Sequence, residues 1–430
     1  MAARNESDIL NRDALTESER EKFAGEIRNL RLIKKELEDQ VRLLRAEFEH
    51  PIKERNSRDE FSVFLDTIIS DLNLKYGSNY PRVRVSTDEL SEEKPAKYLI
   101  DDVRDTVYAS SEFDFMNVVH VFHREWFGIR AAAGSLPGRK IAISAEENLS
   151  EQDLFDIRNV VLSLSPSKIV FHAMSPNMAA LIRILSREFD SSFLFFVHHG
   201  APSQWFHEPD RKAAFIALDM LDKGILRRVH IMRAGFQYSH KGLFTPILLN
   251  KSPRLEQLKP HFANRSENFN VFIPGWTGWR KNIYVNAYAA ALCEEVETIA
   301  AYGSDIILPE NLQHKLHHVK FIDRVQTMHL MCNARLTMNA SLVDCHPMAN
   351  IESQALGVPC IQGNLFLDAL EDHEYCTFTQ VSDVNSVSEI QARIRSCLSQ
   401  DWNYMSEITR DYQAKLDVIS IDRYRDFLEL

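Results

Sequence analysis

The sequence has few cysteines, and none of them is arranged as in a zinc site or a disulfide framework. All six lie in the C-terminal third of the 430 residues, and no C-x-x-C pair occurs. Isolated thiols of this kind are typical of buried side chains in a reducing compartment. The cysteine pattern therefore argues against a disulfide scaffold and a structural zinc, and it predicts a cytoplasmic protein.

Long apolar segments and excess basic charge are lacking as well. No apolar run approaches the ~20 residues that cross a bilayer, and the polar N-terminus has no apolar core of a secretory signal. The net charge is −11, with 61 acidic and 50 basic side chains. This balance disfavours a nucleic-acid partner. It remains compatible with a local basic pocket for a phosphorylated ligand and with peripheral association at the inner face of the membrane.

The N-terminal region carries a heptad pattern over residues 14–49. Thr16 and Glu19 form a capping box, Lys34 occupies one seam position, and Pro51 ends the pattern. We expect a coiled coil that makes the chain a homo-oligomer or docks it to a partner, and a surface helix packed on its own domain is the alternative. A second amphipathic helix is predicted over 60–77.

From about residue 98, apolar strand-like runs alternate with helical patterns. The first set of strands is predicted at 117–123, 139–144, 168–174, 192–200 and 227–236. After a polar break at 246–269, a second set is predicted at 270–276, 296–303, 317–323, 334–341 and 358–363. Such alternation indicates parallel sheets covered by helices on both faces.

The pattern predicts two doubly wound α/β domains in series. The expected boundaries are 1–58 for the coiled-coil helix, 59–250 for the first domain and 251–410 for the second. The last segment, 411–430, is predicted as a helix that crosses back to the first domain. Ligands of such sheets bind outside the carboxyl ends of the strands, so we expect a site in the cleft between the domains.

The stretch DCHPMANIESQALGVPCIQGN, residues 344–364, follows a predicted strand of the second domain. Asp344 falls in the loop, Glu352 lies about one turn into the next helix, and Gly357 ends that helix. A helix N-terminus attracts an anion such as a diphosphate. A glutamate just inside can accept hydrogen bonds from ribose hydroxyls, and Asp344 can hold those of a sugar. The alternative is a helix-entry carboxylate followed by a solvated acid.

Two further sets of polar residues are predicted at the cleft. Arg280 and Lys281, in PGWTGWRKN (274–282), stand at a helix start, where cations oppose the helix dipole. They suggest phosphate binding, with Gly275 allowing close backbone approach. Asn364 follows the last predicted strand of the second domain.

Five histidines stand near the carboxyl ends of predicted strands of the first domain: His120, His123, His172, His198 and His199. They lack the helical spacing of a zinc motif. Each alone is more often structural, but their convergence at one sheet edge favours a function. Arg124, Glu125, Trp126 and Arg130 follow the first of these strands and suit an anionic or carbohydrate acceptor. A buried tryptophan at a helix start is the alternative.

Asp344-x7-Glu352, followed by ALGVP and a short strand, resembles the donor-binding segment of GT-B glycosyltransferases, most closely the retaining enzymes with an E-x7-E motif. The resemblance implies two facing Rossmann-like domains, the first for the acceptor and the second for a nucleotide-sugar donor, with no required metal or other cofactor. The chain departs from the pattern in having Asp344 for glutamate and Cys345-His346-Pro347 where loop glycines are common. The family's early glycine-rich loop is also absent.

The resemblance also implies roles for individual residues. Arg280 and Lys281 would neutralise the diphosphate, and Glu352 would bind the ribose. Asp344 would bind the sugar, and His199, rather than His198, would support the reacting centre. Gly275 and Asn364 would complete the donor site. His120, Arg124 and Trp126 are the expected acceptor contacts.

The expectation from the sequence is a glycosyltransferase of polysaccharide or related biosynthesis. It would transfer a sugar, most readily from a UDP- or GDP-sugar, to a glycan, lipid-linked sugar or protein hydroxyl with retained configuration. Glu125 and Glu208 are the first-domain candidates for a general base if the transfer instead inverts configuration. One alternative function is a nucleotide-sugar epimerase, which needs acids in the first domain. Another is a catalytically silent adaptor that binds through its coiled coil.

Overall fold

The computed structural model describes residues 98–101, 110–233, 239–254, 269–275, 278–302, 306–321 and 324–430. The helices predicted over 14–49 and 60–77 lie outside the described residues, as does most of the predicted break at 246–269.

The first sheet has six strands in the order β1-β3-β2-β4-β5-β6. They are β1 Tyr98–Asp101, β2 Val118–His123, β3 Arg139–Ile143, β4 Lys168–His172, β5 Leu194–His198 and β6 Arg228–Ile231. The edge strand β1 pairs antiparallel with β3, and the other strands pair in parallel. The five strands predicted in this region are present, although each is shorter than predicted. The short edge strand β1 was not predicted.

Within the described part of the chain, four helices connect the parallel strands of the first sheet. They are α1 Phe127–Ser135, α2 Glu151–Ser163, α3 Pro176–Leu185 and α4 Glu208–Asp222. Ser150 and Asp153 form a capping box at the start of α2, and Ser175 caps α3 with Pro176 in its first turn. The apolar faces of α2, α3 and α4 form one core with the sheet. Only the start of helix α1, at Trp126, was considered from the sequence; its extent was not predicted, because its alanines and glycines do not form an apolar stripe.

The second sheet has the order β12-β11-β10-β7-β8-β9 and is parallel throughout. Its strands are β7 Phe269–Ile273, β8 Ile299–Tyr302, β9 Leu316–Val319, β10 Ala334–Asn339, β11 Cys360–Gly363 and β12 Gln380–Val381. The helices of this region are α5 Ile283–Ala291, α6 Glu310–Gln313, α7 Arg324–Cys332, α8 Met348–Ala355, α9 Glu374–Thr379 and α10 Val387–Leu398. The predicted fold class, two doubly wound α/β domains, is confirmed.

The last helix, α11, runs without a break from Trp402 to Leu428. Its final turns pack on the first sheet: Tyr424 and Phe427 share a core with Phe195 and Val197, and the Phe195 and Phe427 rings lie 5.4 Å apart. None of the helices in the described part of the chain has both the length and the apolarity needed to span a membrane.

Each sheet has one point where the chain changes direction of winding. In the first sheet it lies between β2 and β4, and in the second between β7 and β10. Crossover loops leave the carboxyl ends of these strands in opposite directions and open a crevice there, which is where such sheets bind ligands. The polar residues predicted at the cleft follow these strands and therefore lie near the two crevices.

Candidate functional site

An ion pair lies at the winding change of the second sheet. Lys281 follows β7 and Asp344 follows β10, and Lys281 Nζ lies 2.5 Å from Asp344 Oδ2. Both side chains are largely buried, with 17% and 15% of their surface exposed. The loops are also joined through their backbones, because the Leu342 N–H donates to the Arg280 carbonyl oxygen at 2.9 Å. The structure thus brings together two residues that the sequence assigned to different parts of one ligand.

Buried amides support the Asp344 loop and the start of α8. Asn339 Nδ2 donates to Asn350 Oδ1 at 2.7 Å, and Asn350 Nδ2 donates to Gln362 Oε1 at 2.7 Å. Asn339 Nδ2 also lies 3.4 Å from Asp344 Oδ2. Because these amides are buried and bonded to one another, they fix the carboxyl ends of β10 and β11 relative to α8.

Glu352 lies on α8, as predicted, and is paired with Arg324 at the start of α7. Arg324 Nε donates to Glu352 Oε1 at 2.5 Å. The Glu352 side chain is 7% exposed and that of Arg324 is 37% exposed. Burial raises the pKa of Glu352, although Arg324 opposes the shift. Neither the partner nor the burial fits the alternative of a solvated helical acid.

Described residues of the first domain contact the same region. Arg233, which follows β6, donates from Nη1 to the Asp344 carbonyl oxygen at 2.7 Å. Arg324 Nη2 lies 3.5 Å from Ser135 Oγ at the end of α1. Small side chains, Ala131 and Ala132, pack on α8 in one apolar cluster with residues Met348 and Ile351. Helix α1 is therefore held directly against the helix that carries Glu352.

Three of the five histidines form a hydrogen-bonded chain across β2, β4 and β5. His120 Nδ1 lies 3.0 Å from His172 Nε2, and His172 Nδ1 lies 2.9 Å from His199 Nε2. Burial lowers the pKa of His199 to about 3, with His198 and His230 adding to the effect. His120 is fully buried, and its contact with an acceptor stays a prediction.

The two remaining histidines alternate to the opposite face of the same strands. His123 and His198 are buried, and neither ring nitrogen of either residue has a hydrogen-bond partner within the described part of the chain. Burial lowers the pKa of each to about 4. His123 contacts Trp126 edge-on, with ring centroids 4.2 Å apart.

The acids and bases after β2 neutralise one another. Arg124 Nε donates to Glu125 Oε1 at 2.9 Å, and its Nη2 donates to Glu147 Oε1 at 2.8 Å. Glu125 also accepts from Ser144 Oγ at 2.7 Å and from the Ala145 N–H at 2.9 Å. Burial alone would raise the pKa of Glu125, but these hydrogen bonds outweigh it and lower the pKa. A carboxylate held in this way is a poor general base near neutral pH.

The remaining predicted residues have local roles. A Cβ on Gly275 would lie 3.1 Å from Ile283 Cδ1, so the turn before α5 is tightly packed there. Asn364 Oδ1 accepts from the Phe366 N–H at 2.9 Å, which stabilises the turn after β11. His346 Nδ1 accepts from the Asn250 N–H at 3.0 Å. Burial and the neighbouring Asp344 raise the pKa of Cys345 to about 12.

Comparison with known proteins gives structural similarity alone. No family model matches the sequence, and no curated protein is significantly similar to it. Among solved structures, sucrose-phosphate synthase from Thermosynechococcus elongatus has 12% identity and a TM-score of 0.49, covering 73% of this chain and 99% of that one. A UDP-forming trehalose-phosphate synthase from Burkholderia xenovorans has 8% identity and a TM-score of 0.48, with 73% and 98% covered.

A glycosyltransferase from Rickettsia africae has 10% identity and a TM-score of 0.44, covering 73% of this chain and 98% of its own. Identities and TM-scores of this size carry no information about substrate, which has to come from the geometry of the site.

Sequence reasoning missed Arg233 and Arg324, the two arginines that contact the predicted acids. A sequence signal did exist, because both follow apolar strands at the cleft edge, in HIMR (230–233) and KFIDR (320–324). Within the described residues, no group of three or more His, Cys, Asp and Glu side chains is arranged to hold a metal ion.

Proposed function

We propose that the chain is a glycosyltransferase of the GT-B type that moves a sugar from a nucleotide-sugar donor to a hydroxyl acceptor. The observation that carries the proposal is the pairing of Lys281 with Asp344 at the winding change of the second sheet, beside the helix that carries the buried Glu352. The cation suits a diphosphate, the Asp344 carboxylate suits the hydroxyls of a sugar, and the Glu352 carboxylate suits those of a ribose.

On donor binding, Lys281 would exchange its partner Asp344 for the diphosphate of the donor. Lys281 is neutralised by Asp344 in the absence of ligand. A diphosphate competes for the ammonium group, because two phosphate charges attract it more strongly than one carboxylate does. Release of Lys281 leaves Asp344 with open lone pairs, which hydroxyl groups of the donor sugar can fill. Binding of the two halves of the donor is thereby coupled.

Arg280 and Lys281 would stabilise the departing nucleoside diphosphate, which gains negative charge as the glycosidic bond breaks. Glu352 would bind the ribose hydroxyls, with Arg324 holding its carboxylate in place. Gly275 and Asn364 would line the donor site, and His199 would support the sugar from the first domain. No bound metal or other cofactor is part of this proposal, since the two basic side chains supply the positive charge.

We propose retention of configuration. The leaving phosphate can assist the acceptor hydroxyl on the same face of the sugar, so the protein need supply no base. Glu125 is the first-domain carboxylate nearest in sequence to the cleft histidines. Its hydrogen bonds keep it ionised, and both of its oxygens already accept from Ser144 and Ala145. The same occupation weighs against an epimerase, which needs acids in the first domain. Arg124 and Trp126 would line the acceptor side, for a glycan, lipid-linked sugar or protein.

Incubation with UDP-, GDP-, CMP- and dTDP-sugars, with and without a panel of alkyl glycosides, tests the proposal. Free nucleotide released only in the presence of an acceptor supports the transferase. Isomerised donor without acceptor supports an epimerase, and binding without turnover supports an adaptor.

Glu352→Ala should weaken donor binding about tenfold or more, since a hydrogen bond to a charged group contributes ~1.5–3 kcal/mol. Glu407→Ala, an exposed glutamate on α11, is the matched control and should leave donor affinity unchanged in calorimetry.

A further inference from the structure

The histidine chain has a direction, and its inner end sets that direction. His120 Nε2 lies 2.9 Å from the carbonyl oxygen of Pro137. A carbonyl oxygen only accepts hydrogen bonds, so the proton of the neutral His120 ring is on Nε2 and its Nδ1 carries a lone pair. That lone pair faces His172 Nε2 at 3.0 Å, and His172 must therefore donate from Nε2.

The same constraint passes on to His199. With its proton on Nε2, His172 can only accept at Nδ1, which lies 2.9 Å from His199 Nε2. His199 therefore donates from Nε2 and has a lone pair at Nδ1. His199 is partly exposed, and its Nδ1 has no hydrogen-bond partner among the described residues. The outermost atom of the chain is thus an acceptor.

The opposite set of tautomers is disfavoured at His120, the buried end of the histidine chain. If all three protons moved to Nδ1, the lone pair of His120 Nε2 would face the lone pairs of the Pro137 oxygen inside the core. Both groups would lose a hydrogen bond without access to water, which is costly for buried polar atoms.

A protonated chain is also disfavoured. Lys140 Nζ is buried and donates to the carbonyl oxygens of Leu136 and Gly138, on either side of Pro137. Burial lowers the pKa of His120, and the Lys140 charge lowers it further. His172 is affected in the same way, with His120 and His199 as additional neighbours. Burial lowers the pKa of His199, and the nearby His198 and His230 lower it further and add no negative charge.

We propose that His120 and His172 are positioning residues that hold His199 as the Nε2–H tautomer, so that its Nδ1 accepts a hydrogen bond from a hydroxyl group of the bound ligand. An acceptor atom at this position selects a sugar hydroxyl or an amide N–H, and it repels a carboxylate or phosphate oxygen. The tautomer is independent of the protein's activity. The identity of the hydroxyl as one of the donor sugar rests on the proposed function.

Nitrogen NMR on the full chain labelled with ¹⁵N-histidine tests the tautomer directly. His199 is assigned from the signal lost in His199→Gln. The expected result is an unprotonated Nδ1 and a protonated Nε2, unchanged between about pH 5.5 and 8, the range in which an ordinary histidine titrates. A proton on Nδ1, or titration of His199 within that range, would overturn the proposal.

Two substitutions of His172 separate the effect of its hydrogen bonds on His199 from the effect of its ring packing. Glutamine can donate with Nε2 and accept with Oε1, so His172→Gln preserves the direction of the chain, whereas His172→Phe keeps the ring but removes both hydrogen bonds. We expect His199 to remain one tautomer in His172→Gln and to populate both in His172→Phe. A single tautomer of His199 in both variants would show that the hydrogen-bonded histidines do not position it.

Donor analogues test the ligand half of the proposal. Fluorine accepts hydrogen bonds but cannot donate them, so replacing the hydroxyl that faces His199 should weaken binding of the nucleotide sugar about tenfold, or ~1.4 kcal/mol. The same analogue should cost nothing further in His199→Phe. Equal affinity for every fluorinated analogue contradicts the hydroxyl assignment. If the protein binds no nucleotide sugar at all, the hydroxyl assignment and the proposed function both fail, while the NMR result on the tautomer of His199 stands.

Discussion

Lys281 Nζ lies 2.5 Å from Asp344 Oδ2, across the two loops that leave the winding change of the second sheet. The Asp344 carbonyl oxygen accepts from Arg233 of the first domain at 2.7 Å. Asp344 therefore connects the proposed diphosphate site, the proposed sugar site and the facing domain. Changes at this residue should separate the contributions of the two halves of the donor.

Asp344→Asn should weaken binding of the nucleotide sugar without weakening binding of the free nucleotide. Removing the carboxylate leaves Lys281 without its competing partner, so the nucleoside diphosphate should bind as well as before or more tightly. The complete nucleotide sugar should bind about tenfold more weakly, since its sugar loses a charged acceptor worth ~1.5–3 kcal/mol. Calorimetry with both ligands checks this result. Lys281→Met is the control and should weaken both, whereas an equal loss for both ligands in Asp344→Asn would exclude the exchange.

Glu352→Gln should stabilise the fold at neutral pH while weakening donor binding. Burial raises the pKa of Glu352 above its ordinary value of 4.5. The folded protein then binds the proton more tightly than the unfolded chain does. Its contribution to stability is fully present below pH 4.5 and is lost as the pH rises through the raised value.

The measurement for Glu352→Gln is the free energy of unfolding, obtained by denaturant titration at several pH values. The difference between variant and parent should grow in favour of the variant from acidic to neutral pH, because glutamine does not ionise. A difference that is the same at every pH would mean that Glu352 is not held in an unfavourable environment.

The close contact between α1 and α8 depends on small side chains. Ala132 is 1% exposed and belongs to the cluster that joins the two helices. Ala132→Leu should cost about 1–3 kcal/mol of unfolding free energy, the usual effect of overpacking. Gly134 lies in the same helix with no atom near its missing side chain, so Gly134→Ala should add about 0.5–1 kcal/mol. Both values are measurable by denaturant unfolding, and a stable Ala132→Leu variant would argue against the tight contact.

The helix end at Gly357 requires glycine. Its φ is +75°, and an added Cβ would lie 2.5 Å from Ser406 Oγ and 2.6 Å from Arg410 Nε on α11. Gly357→Ala should lower stability by at least ~1–2 kcal/mol, the cost of a left-handed conformation for a residue with a side chain. Gly278→Ala is the matched control, because its φ is −112° and no atom would contact the added carbon. Thermal melts of the two variants measure the difference, and equal melting temperatures would contradict the expected strain at Gly357.

Much of the fold was accessible from the sequence because parallel strands are buried on both faces. They therefore appear as short continuous apolar runs, and the runs ending near His123, His172 and Asn339 were placed within a few residues. The extent of helix α1 was missed because Ala131, Ala132 and their neighbours are small and form no apolar stripe. Its packing depends on close approach to α8, which no local pattern records.

The site was predictable in part for the same reason. Asp344 and Glu352 belong to one strand–loop–helix unit, so their positions follow from local structure. Their partners do not, since Arg324 is 28 residues from Glu352 in the chain and Arg233 is 111 residues from Asp344. The histidine chain was anticipated only as convergence at a sheet edge, because the direction of its hydrogen bonds depends on the carbonyl group of Pro137.

The most direct test of the cleft as a glycosyl donor site is nucleotide release from a panel of UDP-, GDP-, CMP- and dTDP-sugars. Release is measured with the parent protein and with Glu352→Ala. We expect the parent to release one nucleotide only when a hydroxyl acceptor is present, and we expect this release to fall sharply in the variant. If none of the nucleotide sugars binds, or if release is the same in the two proteins, the assignment of this cleft as a glycosyl donor site is wrong.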